Sequence, residues 1–223
     1  MNTLSNSLTR ERVGENVTFS APLGDLKAGR LEVTSGVANL ELYGDRSTRD
    51  LFHAEFRGLI PEVRLRNERV NLHYHFGLGD FLQHILWGNR DAGDVALNTS
   101  IAWQIELRGG VSNLDADLRE LRVSSLTITG GISNTDLLLP PPTGTVQIHL
   151  ASGVSNLKVF RPQGVPARLK VGGGISHMAF DDQTYSSVGG GLQLETPDYK
   201  TATDRYDIVL GGGVSNLVVR AQA

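Results

Sequence analysis

The histidines are the first residues in this sequence whose type and spacing could do chemistry. His73 and His75 are two residues apart and would share one face of a strand, and His84 follows close behind. Neutral imidazoles are common zinc ligands. The alternate positions are apolar and are expected to take the buried side of the strand: Leu72, Tyr74 and Phe76. Both histidines are therefore expected to face solvent, and we predict no metal site.

A pair of carboxylates, Asp181 and Asp182, could in principle do general acid and base work. Adjacent residues of a strand point to opposite faces, however, and the sequence places no Arg, Lys or His beside them. The chain also has no cysteine, which excludes a thiolate nucleophile, a thiolate metal site and disulfides. We therefore predict a protein that is not an enzyme and that needs no cofactor.

A group of arginines is the remaining candidate for binding chemistry. Two of them, Arg64 and Arg66, would share a strand face and could hold a phosphate or an acidic glycan. The alternative is a solvated outer face neutralised by Glu62 and Glu68. The candidate anion or partner contact comprises Arg57, Arg64, Arg66 and Arg69.

Composition limits the function classes further. The formal net charge is −3, and basic residues are not segregated, which argues against a nucleic-acid partner. No run approaches the length of a membrane span, and the N-terminus lacks the apolar stretch of a secretion signal. We expect a soluble chain that is cytoplasmic rather than secreted, with peripheral membrane association as the alternative.

The elements that must position these residues are marked by a recurring hexapeptide, GGVSNL, which begins at Gly109. Variants of it begin at Ser35, Gly130, Ser152, Gly173 and Gly212. The intervals from Gly110 to Gly131, Gly153 and Gly174 are 21, 22 and 21 residues. A repeat of this length predicts a solenoid whose units bury their apolar faces by stacking. Gly58 and the run 189–191 fit as degenerate copies.

Apolar residues on either side of each glycine alternate with period two, as in Val146, Ile148 and Leu150, which predicts strands. The alternation slips by one at the Ser-Asn step, so we expect a corner there, made from Gly and Asn because both take positive φ readily. Stacked Asn side chains could form hydrogen-bonded ladders or, alternatively, a binding strip. The predicted corner residues are Gly36, Gly110, Gly131, Gly153, Gly174, Gly213, Asn39, Asn113, Asn134, Asn156 and Asn216.

The domain organisation follows from these patterns. Residues 1–15 are predicted to be a flexible tail and residues 16–223 a single all-β solenoid. Residues 80–90 contain a short amphipathic pattern bounded by Asp80 and Gly88, which predicts a helical insertion or cap. The last repeat ends close to the C-terminus, so either the segment 181–204 or a second molecule should cover that end.

Several of these stretches resemble the toast-rack domain of bacterial cell-wall-antibiotic-response proteins of the LiaF type and the related adhesin-like β-solenoids. The resemblance is carried by the GVSN corners, by FRG from Phe56, by residues 94–97 and by the segment ETPDYKTATDRYDIVLGGGVSNLVV. It implies a right-handed parallel β-helix with rungs of about 21–22 residues, no catalytic residue, and a link to the cell-envelope stress response.

The sequence thus predicts a non-enzymatic bacterial interaction or scaffold module that binds a protein partner or itself. The alternative is an adhesin-like surface module that binds a glycan.

Overall fold

A computed structural model describes residues 7–74 and 92–222. Throughout these residues the regular structure is β-strand, and the alternation of apolar and polar residues is the reason. The strands are β1 (Thr9–Val13), β2 (Asn16–Pro22), β3 (Ala28–Val33), β4 (Val37–Asp45), β5 (Asp50–Arg57), β6 (Glu62–Arg66), β7 (Arg69–His73), β8 (Ala92–Asn98), β9 (Ala102–Leu107), β10 (Val111–Asp117), β11 (Arg122–Ile128), β12 (Ile132–Leu138), β13 (Thr145–Leu150), β14 (Val154–Pro162), β15 (Ala167–Val171), β16 (Ile175–Phe180), β17 (Gln183–Val188), β18 (Leu192–Glu195), β19 (Arg205–Leu210) and β20 (Val214–Gln222).

The strands form two sheets. Sheet 1 has 11 strands in the order β1-β2-β5-β8-β4-β10-β12-β14-β20-β16-β17, and sheet 2 has 9 in the order β18-β15-β19-β13-β11-β9-β3-β7-β6. From β9 to β16 the chain alternates between sheet 2 and sheet 1, and each strand from β9 to β14 pairs in parallel with both of its neighbours. Two consecutive strands, one in each sheet, make one layer of a stack.

The layers do not follow one another in chain order at the C-terminal end. The last two strands, β19 and β20, lie between the β13/β14 layer and the β15/β16 layer, and they pair in parallel with both. The strands of the outer layer therefore come earlier in the sequence than the strands of the layer inside it. The last repeat is not at the end of the stack: the end layer is β15/β16, and strands from the segment 181–204 pair with this layer instead.

The N-terminal end has the same inverted order. Strands β3 and β4 lie between the β7/β8 layer and the β9/β10 layer. Antiparallel strands continue both sheets beyond the two outer layers: β5, β2, β1 and β6 at one end, and β17 and β18 at the other. The chain thus supplies its own covering strands, and part of the segment 181–204 is among them.

The core lies between the two sheets and consists of the inward-facing half of each strand. Trp103 of β9 is fully buried, and its indole donates a hydrogen bond of 2.8 Å to the carbonyl of Asn98. A β-carbon on Gly29 would lie 2.6 Å from the indole ring. Gly29 therefore makes room for the largest side chain of the core.

Several expectations from the sequence need correction. Residues 9–13, assigned to a flexible tail, form β1, which the Gly14 turn (φ +63°) joins to β2. Gly58 (φ 78°) follows the antiparallel strand β5, so it is not a corner of the parallel repeat. The run 189–191 does turn from β17 of sheet 1 to β18 of sheet 2, and a β-carbon on Gly190 would lie 2.2 Å from the carbonyl oxygen of Gly172, so the run stacks on the neighbouring corner although its strands are antiparallel. The predicted helix at residues 80–90 lies outside the described residues.

Candidate functional site

The repeated asparagine is the residue that shapes the outer face of sheet 1. In five layers it has positive φ: 53° at Asn39, 57° at Asn113, 49° at Asn134, 53° at Asn156 and 56° at Asn216. The register passes over it, since Ser112 pairs with Ser133 and Leu114 with Thr135. The asparagine is therefore a left-handed kink, repeated in register inside each continuous strand, rather than a corner between strands, which explains the slip in the alternation.

The first and the second glycine of the repeated hexapeptide have different structural roles. The second glycine of each copy, such as Gly131, is not at positive φ, and a β-carbon there would lie 3.9 Å from the carbonyl oxygen of Gly153. The first glycine is the restricted one, because a β-carbon on Gly130 would lie 2.0 Å from the carbonyl oxygen of Gly109. Glycine is thus required for close approach of layers at the turn, and positive φ belongs to asparagine.

The five asparagine side chains form one hydrogen-bonded row along the stack. Each amide donates to the next carbonyl, from Asn216 to Asn156 at 2.7 Å, Asn156 to Asn134 at 2.9 Å, Asn134 to Asn113 at 3.1 Å and Asn113 to Asn39 at 2.8 Å. The row uses one donor and one acceptor of each inner amide, which has two more hydrogen-bonding sites. We call this the asparagine row.

A row of carboxylates lies two residues beyond the asparagine on β4, β10 and β12 and continues on β8 and β5, which have no asparagine. Cross-strand pairing sets Glu55 beside Asp94, Asp94 beside Glu41, Glu41 beside Asp115, and Asp115 beside Asp136. Like charges directly opposite each other on neighbouring strands destabilise a sheet. The sheet tolerates five of them in succession, so we call this the carboxylate row and treat it as a candidate site.

The two rows line an open concavity with a volume of about 1060 Å³. It crosses seven strands, from β2 to β14, and at the usual strand spacing these span about 29 Å. Its charged lining comprises the five carboxylates, together with Arg57 and Lys158 as cations. Lys158 already pairs with Asp136 at 3.1 Å. The groove, as we call this concavity, is therefore acidic.

Tyr43 is the aromatic residue of the groove. Its hydroxyl donates a hydrogen bond of 2.9 Å to Asp94 Oδ1. Burial and the neighbouring Asp94 raise the pKa of Tyr43 to about 12, so it stays neutral at physiological pH. A neutral phenol and ionised carboxylates can bind and orient a ligand, but they do not make an activated nucleophile.

The candidate arginines do not form one site. Arg57 lines the groove, whereas Arg64, Arg66 and Arg69 line a small cleft on the outer face of sheet 2, together with Glu32 and Asn71.

The histidine and aspartate candidates are also apart from the groove. His73 Nδ1 hydrogen bonds with Thr34 Oγ1 at 2.8 Å, and His75 and His84 lie outside the described residues. Asp181 pairs with the buried Arg161 at 2.5 Å, which is a structural contact. Among residues 7–74 and 92–222, no group of three or more acidic or histidine side chains has metal-binding geometry.

The carboxylate row was the feature not predicted from the sequence. A signal existed, because the residue two places after the repeated asparagine is Glu41, Asp115 and Asp136 in three copies. The other two members could not be found this way, since Glu55 and Asp94 belong to strands outside the glycine repeat.

No helix within the described parts of the chain has the length and apolar character needed to cross a membrane.

Comparison with known proteins gives the same architecture. The crystal structure of a putative cell adhesion protein from Clostridium sporogenes is similar over 97% of this chain and 100% of that chain, with a TM-score of 0.65 and 15% sequence identity. At that identity the likeness concerns the fold. No curated protein matches the sequence. Residues 9–160 match the family model for the N-terminal domain of toast_rack, DUF2154. The chain belongs to the toast-rack N-terminal domain family.

Proposed function

We propose that this protein is a non-enzymatic interaction module and that the groove on sheet 1 binds a positively charged, extended segment of a partner protein. The observation that carries the proposal is the carboxylate row, which sets five acidic side chains side by side across neighbouring strands. Such a row costs stability in the free protein and gains it when cations lie along it.

The groove favours a cationic partner over an acidic polymer for electrostatic reasons. An acidic polysaccharide would meet five carboxylates against Arg57 and Lys158, and Lys158 is already paired with Asp136. Lysine or arginine side chains of an extended segment would instead meet carboxylates on successive strands, which lie about 4.8 Å apart.

A neutral glycan is the second candidate ligand. The asparagine row supplies amide donors and acceptors at each strand, and Tyr43 supplies an aromatic edge. The similar clostridial structure carries a cell-adhesion description, which is compatible with an adhesin-like role here.

The experiment is calorimetric titration with a lysine octapeptide, a glutamate octapeptide and a tetramer of N-acetylglucosamine. We expect saturable binding of the lysine peptide that weakens as salt is raised, because exposed charges are screened. The double variant Asp115→Asn with Asp136→Asn should weaken this binding about tenfold, since it removes two charges of the row. The control, Asp25→Asn with Asp182→Asn, makes the same change in net charge at two exposed positions outside the groove.

Binding of the lysine peptide that both double variants weaken equally would contradict a site in the groove. Salt-insensitive binding of the neutral tetramer would favour the glycan alternative. Turnover of any polysaccharide would contradict the non-enzymatic proposal.

We further propose that the two sheets form a right-handed β-solenoid and that the module acts in the response to cell-envelope stress. The alternation of strands between two parallel sheets supports the first part, and family membership supports the second. Unchanged survival of a deletion strain under cell-wall antibiotics would contradict the link to envelope stress.

A further inference from the structure

The outer face of sheet 2 carries a second charged feature, of the opposite sign. It lies on the hairpin of β6 and β7 and on the neighbouring β3. Antiparallel register places Arg66 directly opposite Arg69, and parallel register places Arg69 beside Arg30. All three side chains are on the outward parity of their strands, because the alternate positions Val70 and Leu31 are fully buried. Three arginines therefore stand side by side on consecutive strands.

This arrangement is unfavourable for the free protein. Like charges on directly opposite residues destabilise a sheet, and polar outward positions have many uncharged alternatives. The carboxylates nearby neutralise only some of the arginines. Arg30 pairs with Glu106, and Arg64 pairs with Glu62 at 2.7 Å. Within the described residues no carboxylate lies within 4 Å of Arg66, so its charge is not compensated by an ion pair there.

Glu32 forms the acidic floor of the cleft. Its side chain is only 4% exposed, and it lies 3.5 Å from Arg69 Nη1 and 3.1 Å from Arg108 Nη2. The distance between Arg69 and Glu32 is longer than a normal charged hydrogen bond. Most N–H donors of the Arg69 guanidinium group can therefore bind another acceptor. The cleft therefore contains more donors than its own carboxylate satisfies.

The dimensions of the cleft limit the ligand. Its volume is about 250 Å³, and it is lined by Glu32, Arg64, Arg66, Arg69 and Asn71. That space suits one small charged group and not a polymer. Guanidinium groups bind planar carboxylates with two parallel hydrogen bonds. The Glu32 carboxylate at the floor disfavours a doubly charged group such as phosphate, because it would repel the second charge.

We infer that this cleft, which we call the arginine cleft, is an anion site that receives a single carboxylate group, supplied by an acidic side chain of a partner protein. Arg66 and Arg69 hold the carboxylate, Arg64 and Asn71 complete the rim, and Glu32 orients Arg69. The site is separate from the groove on sheet 1, so the molecule presents an acidic face and a basic cleft on opposite sheets.

The test is an NMR titration of the arginine side-chain signals with the α-amide of N-acetyl-glutamate, whose one carboxylate is on the side chain. Both amino-acid ligands are used as α-amides and are called N-acetyl-glutamate and N-acetyl-glutamine below. N-acetyl-glutamine serves as the neutral side-chain comparison and inorganic phosphate as the tetrahedral one. We expect saturable shifts of the Arg66 and Arg69 signals in the millimolar range with N-acetyl-glutamate, and binding of N-acetyl-glutamine weaker by about threefold or more. Arg66→Gln should weaken N-acetyl-glutamate binding about tenfold, because it removes a guanidinium fork from an exposed position where folding is not at risk.

The matched control is Arg119→Gln, which also removes one exposed arginine but lies at the end of β10 and pairs with Asp117. It should leave the titration unchanged. Glu32→Gln gives a second test, since removal of the floor charge should strengthen carboxylate binding and admit phosphate. Absence of saturation, equal effects of the Arg66 and Arg119 variants, or tighter binding of phosphate than of N-acetyl-glutamate by the unmodified protein would each overturn the inference. Failure of the lysine peptide to bind the groove would leave these results unaffected.

Discussion

At the scale of single residues, the structure separates two kinds of backbone requirement within one short motif. In the four copies that begin with glycine, the first glycine allows neighbouring layers to approach closer than a β-carbon would permit, whereas the other two copies have serine there. The asparagine is needed because it combines positive φ with a side chain that bonds along the stack. Two predictions test these roles, and a third tests an ion pair on sheet 2.

The asparagine row predicts a graded response at Asn134. Asn134→Ala should lower the free energy of unfolding by about 2 kcal/mol, since alanine is strained at positive φ and two hydrogen bonds are lost. Asn134→Gly should cost about 1 kcal/mol, because glycine removes the strain but not the loss of hydrogen bonds. Urea unfolding measures both. Equal costs for the two variants would contradict a positive φ at this position.

The neighbouring glycines predict opposite outcomes for one substitution. Gly130→Ala should cost about 2 kcal/mol or more, because the new methyl group would meet the backbone of the next layer 2.0 Å away. Gly131→Ala should be neutral or stabilise by up to about 1 kcal/mol, because its φ suits alanine and the unfolded chain loses freedom. Thermal unfolding of the two variants in parallel distinguishes them. A larger loss for Gly131→Ala would show that the assignment is reversed.

The pair of Arg168 and Asp207 predicts a pH dependence. Arg168 donates hydrogen bonds of 2.8 and 2.6 Å to Asp207 and holds the pKa of that carboxyl below its ordinary value, although burial opposes the shift. The stabilisation is therefore complete above the unfolded-state pKa of about 3.9 and is lost as the pH falls through the lower folded-state pKa.

Asp207→Asn should accordingly destabilise the protein by about 2 kcal/mol at pH 7. The difference from the unmodified protein should shrink as the pH falls from about 4 towards 2. Chemical unfolding across this range measures it. A difference that stays constant with pH would mean that the carboxylate charge of Asp207 does not stabilise the fold.

At the scale of elements, the order of the layers is the main finding. At one end of the stack the first pair of parallel strands, β3/β4, lies inside the layer formed by β7/β8. At the other end the last pair in the chain, β19/β20, lies inside the layer formed by β15/β16. Deletion of residues 205–223 should therefore abolish cooperative folding, because it removes an internal layer that contains the fully buried Tyr206. Two-dimensional NMR should show collapsed signal dispersion. The control, deletion of residues 221–223, removes the exposed Ala221 and Gln222 from the end of β20 and should keep a native spectrum.

The sequence could predict the parallel layers but not their nesting. The intervals from Gly110 to Gly174 report β10, β12, β14 and β16 because these strands follow one another in the chain. The period-two alternation of apolar residues depends only on which face of a strand is buried. It is therefore the same for a strand inside the stack and for a strand at its edge. The carboxylate row was equally hidden, since Asp94 joins it through pairing of β8 with β4 and not through the repeat.

At the scale of the whole molecule, the two outer faces differ in charge. Sheet 1 presents the acidic groove, and sheet 2 presents the arginine cleft at its N-terminal edge. The outermost strand β1 of sheet 1 is exposed throughout and carries Arg10, Glu11 and Arg12. Charged edge strands discourage pairing between molecules. We therefore expect the free protein to be a monomer in light scattering at physiological salt. A concentration-dependent dimer there would contradict the protective role of this edge.

The measurement that tests the central claim most directly is chemical-shift mapping of the lysine octapeptide on the isotope-labelled protein. We expect the perturbed amides to cluster on the outer face of sheet 1, at Asn113, Asp115, Asn134 and Asp136, and sheet 2 to stay unperturbed. Perturbations confined to sheet 2, or none at peptide concentrations that saturate the calorimetric titration, would contradict the groove as the binding site.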